Sequence, residues 1–132
     1  MSENGLITLP SAHGAKATMD RLEAEAKAKS LRVFARIDHA AGAKDAGLAL
    51  RATELLIFGN ARGGTPLMQA LQTTGIDLPL KALVWEDDSG KVWLTYNDPA
   101  WIAARHGDPA QVSEVTQRLA GALAALAKAA TS

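Results

Sequence analysis

The stretch Leu55-Leu56-Ile57-Phe58-Gly59-Asn60-Ala61-Arg62-Gly63-Gly64-Thr65-Pro66-Leu67-Met68 limits the fold more than any other part of this chain. Four large apolar residues in succession, followed by glycines, read as a buried strand running into a turn. Thr65-Pro66 then places a capping hydroxyl before a proline, the combination that opens a helix. A strand, a glycine loop and a helix start in this order aim backbone N–H groups at whatever lies in front of the loop. Asn60, Arg62, Gly63, Gly64 and Thr65 are therefore the expected binding residues for a small anionic molecule. The glycine–lysine–serine or threonine ending of a P-loop is missing, as is the dinucleotide fingerprint.

The remaining segments surround that unit with further strands and helices. Leu6–Leu9 is a short strand limited by Pro10. Gly14–Lys29 reads as a helix with Met19, Leu22 and Ala26 on one stripe and Glu23–Lys27 and Glu25–Lys29 as ion pairs on its solvated face. Leu31–Asp38 alternates, with Leu31, Val33, Ala35 and Ile37 expected on one face and Arg32 and Arg36 on the other. Asp38 caps a short helix through Ala46, with Gly47 after it. Thr53–Asn60 is apolar on both faces, as expected of a central strand.

Lys81–Asp87 and Lys91–Asn97 flank Asp88-Ser89-Gly90 and form a hairpin whose loop length, and hence the partners of Trp85 and Trp93, stays open. Asp98-Pro99 and Asp108-Pro109 start two more helices, and Gln111 completes a capping-box spacing with Asp108. The last helix presents Val112, Val115, Leu119, Ala122 and Leu126 and runs to about Ala129. The element order is β-α-β-(short α)-β-α-β-β-α-α. It predicts an α+β fold: a mixed or mostly antiparallel sheet with helices packed on one face. At 132 residues the chain makes one domain, residues 1–132, large enough to bury roughly 65–70% of its unfolded surface without staples.

Ile37-Asp38-His39, Phe58-Gly59-Asn60, Gly64-Thr65-Pro66-Leu67-Met68, Leu78-Pro79-Leu80-Lys81, Trp85-Glu86 and Tyr96-Asn97-Asp98-Pro99 occur in order. This ordered set resembles the domain-of-unknown-function family 302, a small bacterial and archaeal group, from about Leu6 to Leu126. The resemblance implies a fold similar to the TATA-binding-protein-like α+β arrangement, as architecture only and without DNA binding. The family usually has proline where this chain has Ala61, and often at the position of Ala52. The resemblance supplies no activity, so no catalytic residue is carried over.

Composition narrows the function classes. Cysteine is absent, which excludes disulfides and thiolate chemistry. The 14 acidic and 14 basic residues cancel, so the basic excess that nucleic-acid binding calls for is missing. Met1-Ser2-Glu3-Asn4-Gly5 is polar with no basic leader, and no apolar run approaches the ~20 residues of a membrane span. A cytoplasmic protein without membrane contact is expected. None of the three histidines, His13, His39 and His106, forms a close metal-ligand pair, so neither metal nor cofactor is expected.

His39 is the candidate general base, with Asp38 or Glu86 orienting it. Lys81 and Tyr96, polar groups among apolar strands, join the candidate ligand site if they converge with Asn60 and Glu86. His106 is expected in the last turn of a helix, where imidazolium suits the dipole. Apolar residues on both sheet faces, with helices for one, predict that a second copy covers the other and makes a homodimer. The leading expectation is a ligand-binding module near Gly59–Thr65 and His39. The alternatives are a protein-interaction domain without a small ligand and a small acid–base enzyme.

Overall fold

In a computed structural model describing residues 4–132, the strands are β1 (Leu6–Pro10), β2 (Arg32–Asp38), β3 (Thr53–Gly59), β4 (Leu80–Glu86) and β5 (Val92–Asn97). They form one sheet in the order β1-β5-β4-β3-β2. Every pairing is antiparallel. The helices are α1 (Ala15–Ala28), α2 (His39–Asp45), α3 (Ala61–Ala70), α4 (Pro99–His106) and α5 (Ser113–Thr131), with 3-10 turns at Gln72–Ile76 and Pro109–Val112. The expected α+β architecture is present. The polar Met1–Glu3 end lies outside the described residues.

One sheet face carries the main core. Leu56 and Phe58 of β3, Val84 of β4 and Leu94 of β5 are buried there against Met19, Leu22 and Ala26 of α1 and Leu123, Leu126 and Ala130 of α5. The α1 stripe is the one its periodicity predicts. Lys27–Glu23 and Lys29–Glu25 pair at 3.0 and 3.6 Å. A smaller cluster joins Leu67 of α3, Ala103 of α4, Val112 and Leu119.

The alternation expected along Leu31–Asp38 is broken. Val33 pairs with Phe58 and Arg36 with Leu56, while Ala35 and Ile37 pair with Ile57 and Leu55. A bulge between Val33 and Ala35 shifts the register, and one extra residue reverses every later side chain. Val33 and Arg36 therefore share the helix-covered face, and Ala35 and Ile37 the opposite one. On the helix-covered face Arg36 meets Glu54 at 2.9 Å, Asp20 at 2.8 Å and Glu23 at 3.0 Å, tying α1 to two strands.

The other sheet face holds Ala35, Ile37, Leu55, Ile57, Leu83, Trp85 and Trp93, none of them in either core cluster. On the three central strands the one charged residue of this face is Lys81, whose ammonium donates to the carbonyls of Asp77 and Pro79.

The hairpin closes through residues 88–90. Glu86 pairs with Val92, Asp87 N–H donates to the Lys91 carbonyl, and Gly90 has φ +85°. A three-residue loop ending in a left-handed residue explains the glycine. Trp85 and Trp93 are directly opposite and stacked, with centroids 6.2 Å apart.

The Trp93 indole N–H and the Lys91 and Ser89 backbone N–H groups all donate to the Asp87 carboxylate. Led by the Trp93 bond, they lower its pKa from 3.8 to about 2. A depressed carboxylate stabilises the fold fully above its unfolded pKa and loses that contribution as pH falls through the folded value. Between pH 4 and pH 2, Asp87→Asn is therefore expected to lose less stability than the unaltered protein, measured as the shift in urea midpoint. Equal losses in the two proteins would contradict this role of Asp87.

Candidate functional site

Between α3, α5 and one end of the sheet lies a half-open cavity of about 500 Å³. Leu31 and Phe34 form the wall beside β2, and Gly75, Leu78 and Pro79 the wall before β4. From α5 come Arg118, Leu119, Ala122 and Leu126; residues 118, 122 and 126 share a face because they are spaced by four. Asn60, Arg62, Gly63, Gly64 and Thr65 line the cavity as well. The glycine segment singled out in the sequence thus borders this cavity.

Its local structure differs from the expectation. The helix opens at Ala61 rather than at Thr65-Pro66, with Asn60 as its cap. Gly63 N–H donates to Asn60 Oδ1 at 2.6 Å, and Gly64 N–H to the Asn60 carbonyl at 3.1 Å. The expected nest of free backbone donors is therefore committed within the helix. Pro66 lies inside α3 and lacks the N–H that would bond the Arg62 carbonyl. Gly59, at φ +151°, makes the bend from β3 into the cap.

Small residues keep the cavity open. A Cβ at Gly63 would sit 3.2 Å from Asn60 Oδ1 and 3.4 Å from Leu119 Cδ2, and one at Gly64 3.6 Å from Leu78. Two successive glycines in a helix each cost about 1 kcal/mol relative to alanine. Charge at the site is one-sided. Arg62 and Arg118 line it, and no carboxylate does among the described residues. Arg118 makes only a 3.4 Å contact with Glu114, both side chains mostly exposed, and such pairs contribute little. Arg62 makes no ion pair among the described residues.

The other expected site residues lie elsewhere. Lys81 does not line the cavity; its bonds to Asp77 and Pro79 brace the adjoining wall, and burial lowers its pKa. Tyr96 is buried in the main core, which raises its pKa, with Asp98 adding to the effect. Asp38 spends a carboxylate oxygen on the Ala41 N–H as the cap of α2. His39 is exposed and has no hydrogen bond to Asp38 or Glu86.

Asn60 and Lys81 sit at one end of β3 and β4, whereas His39 and Glu86 sit at the other. Residues 81 and 86 alone are roughly 16 Å apart along an extended strand. The convergence of His39, Asn60, Lys81 and Glu86 that a shared pocket would require does not occur, and a ligand site near Gly59–Thr65 excludes His39.

A further polar cluster escaped sequence reading. His106 Nε2–H donates to the Asp77 carboxylate, and its Nδ1 shares a hydrogen bond with the Thr73 hydroxyl at 2.8 Å. Arg105 donates to the same carboxylate at 2.9 Å. The order hydroxyl–imidazole–carboxylate matches a nucleophilic triad, but none of the three lines the cavity. Its evident work is to fasten the 3-10 turn, and with it Gly75 and Leu78, to the end of α4. No local motif announces it, because Asp77 and His106 are 29 positions apart.

The family description "Domain of unknown function DUF302" matches residues 7–126. The chain belongs to the DUF302 family. A crystal structure of an uncharacterized conserved DUF302 protein from Bacillus stearothermophilus superposes with a TM-score of 0.85 at 20% identity, over 96% of this chain and 98% of that one. That likeness establishes the shared fold.

This DUF302 chain is also 58% identical over 104 residues to proteins named fluoride-specific ion channel FluC 1 in Brucella suis biovar 1 and Brucella abortus biovar 1. The match takes in 79% of this chain but 41% and 38% of those proteins. The chain thus spans about two fifths of the curated relatives' length. Among its described residues no helix is long and apolar enough to cross a membrane.

Asn60→Ala removes the cap on which the cavity-lining helix starts. It is expected to lower unfolding free energy by about 1 kcal/mol, read from urea denaturation. Unchanged stability would mean that the side-chain cap does not hold this helix in place.

Proposed function

We propose that this DUF302 chain is a cytoplasmic small-molecule-binding module and that the cavity between α3 and α5 is its ligand site. The carrying observation is a half-open apolar cavity of about 500 Å³ bordered by two arginines and no acid. Its volume falls within the ~300–1,000 Å³ range of organic-ligand pockets. Acid–base catalysis has less support, because His39 has neither an orienting partner nor a place at the cavity.

The name of the Brucella relatives raises fluoride as a ligand of those proteins. A small, strongly hydrated anion needs several donors to replace its water. The apolar cavity wall and the committed Gly63 and Gly64 N–H groups favour an organic molecule for this chain instead.

The uncovered sheet face favours self-association. It is apolar, and its Lys81 charge is turned toward carbonyls at the rim. A second copy placed face to face would bury Leu55, Ile57, Leu83 and Trp85 from both sides. Native mass spectrometry is expected to record a dimer, and Leu83→Arg at the centre of that face a folded monomer. A monomeric parent protein, or a variant still dimeric, would remove the sheet face from this role.

Ala122→Trp places a large ring at the cavity while its own position on α5 is exposed. Nile red, a neutral apolar dye, is expected to bind the parent protein and to lose at least about tenfold in affinity in the variant, with circular dichroism unchanged. Tenfold is about 1.4 kcal/mol. Equal dye binding in both proteins, or none in the parent, would dismiss the cavity as a site.

A further inference from the structure

The chemistry of the cavity defines its occupant more closely than size does. Leu31, Phe34, Leu78 and Leu126 give it apolar walls with no polar side-chain atom among them, Phe34 being exposed and Leu126 buried. Such a surface favours an apolar body and penalises a polar group that finds no partner. The charged side chains that line it are Arg62 on α3 and Arg118 on α5.

These two helices approach each other at the site: a Cβ at Gly63 of α3 would lie 3.4 Å from Leu119 Cδ2 of α5. Arg62 and Arg118 line the same cavity, one from each helix. Neither is neutralised by a carboxylate of the cavity wall. Arg118 is only loosely held by Glu114, at 3.4 Å and in solvent, so a ligand acid can recruit it at little cost. Guanidinium groups present forked donors that match the paired oxygens of a carboxylate.

We propose that the ligand is an amphiphilic organic acid whose carboxylate lies between Arg62 and Arg118 and whose apolar body occupies the cavity along α5. This rests on the cavity being a ligand site, as proposed above, and adds the class of molecule. Apolar burial would supply most of the affinity. The guanidinium pair would supply the choice of acid over neutral analogue.

The test compares decanoate, decanol and acetate as competitors of Nile red. In the parent protein decanoate is expected to compete about tenfold or more better than decanol, the scale of one charge-assisted hydrogen bond, and acetate not at all. In the double variant Arg62→Gln/Arg118→Gln, decanoate is expected to fall to the level of decanol, while decanol and the dye stay unchanged. Equal competition by decanoate and decanol in the parent, or an acid preference that survives in the double variant, overturns the acid assignment while leaving the cavity a binding site. Acetate competing as well as decanoate overturns the apolar part. Failure of the dye and of every competitor to bind overturns the cavity reading itself.

Discussion

Burial of one apolar stripe of α5 connects the parts of this molecule. Leu123, Leu126, Ala127 and Ala130 press into the main core beside α1, and Leu119 enters the smaller cluster with α3 and α4. Each fully buried leucine contributes roughly 1.5–3 kcal/mol of transfer free energy, so this helix is held mainly by packing. Where the stripe passes between the two clusters, the neighbouring elements do not close over it. Arg118 and Ala122 are presented there to the cavity rather than to a packed core.

That opening has a conformational cost. A helix containing Gly63, Gly64 and Pro66 has poor intrinsic propensity. It is held by the Asn60 cap and by Leu67, which is fully buried. Larger side chains at the glycines would favour the helix and fill the space in front of it. The opposite wall is the 3-10 turn, a short element anchored by the fully buried Thr74. Polar ties also fasten it: His106 and Arg105 to Asp77, and Lys81 to two carbonyls. The site thus has a small-residue wall on one side and a polar-braced wall on the other.

Much of the fold is legible in the residues because local chemistry and tertiary packing agree. The α1 stripe, the hairpin around Gly90, the caps at Asp38 and Asp98, and the buried β3 occur where their patterns place them, whereas Asp108 caps a 3-10 turn and the last helix opens only at Ser113. The departures have specific causes. The bulge at Val33–Ala35 reverses the alternation of β2, and nothing in an alternating strand marks which residue will be extra. Thr65-Pro66 carries a strong helix-start pattern, yet Asn60 already caps the chain five residues earlier, and the glycines conceal that helix by their low propensity.

The candidate site was legible only in part, for a related reason. Asn60 to Thr65 are contiguous, so local pattern brings them to one cavity. Arg118, Leu78 and Phe34 reach it from distant segments, and no spacing rule links them. Conversely, Lys81, Tyr96 and His39 carry suggestive chemistry, but strand direction sends them to a wall brace, a core and the far end of the sheet. The membership of this chain in DUF302 fixes its architecture, and the proposal of a ligand rests on the cavity.

The most direct measurement is a titration of isotope-labelled protein with decanoate, followed by amide chemical shifts. The account predicts saturable shifts concentrated at Gly63, Gly64, Gly75 and Ala122, with the amides of Leu55, Leu83 and Trp85 on the opposite sheet face unmoved. Shifts confined to that sheet face, or no saturable shifts at all, would contradict the claim that the cavity between α3 and α5 is the ligand site.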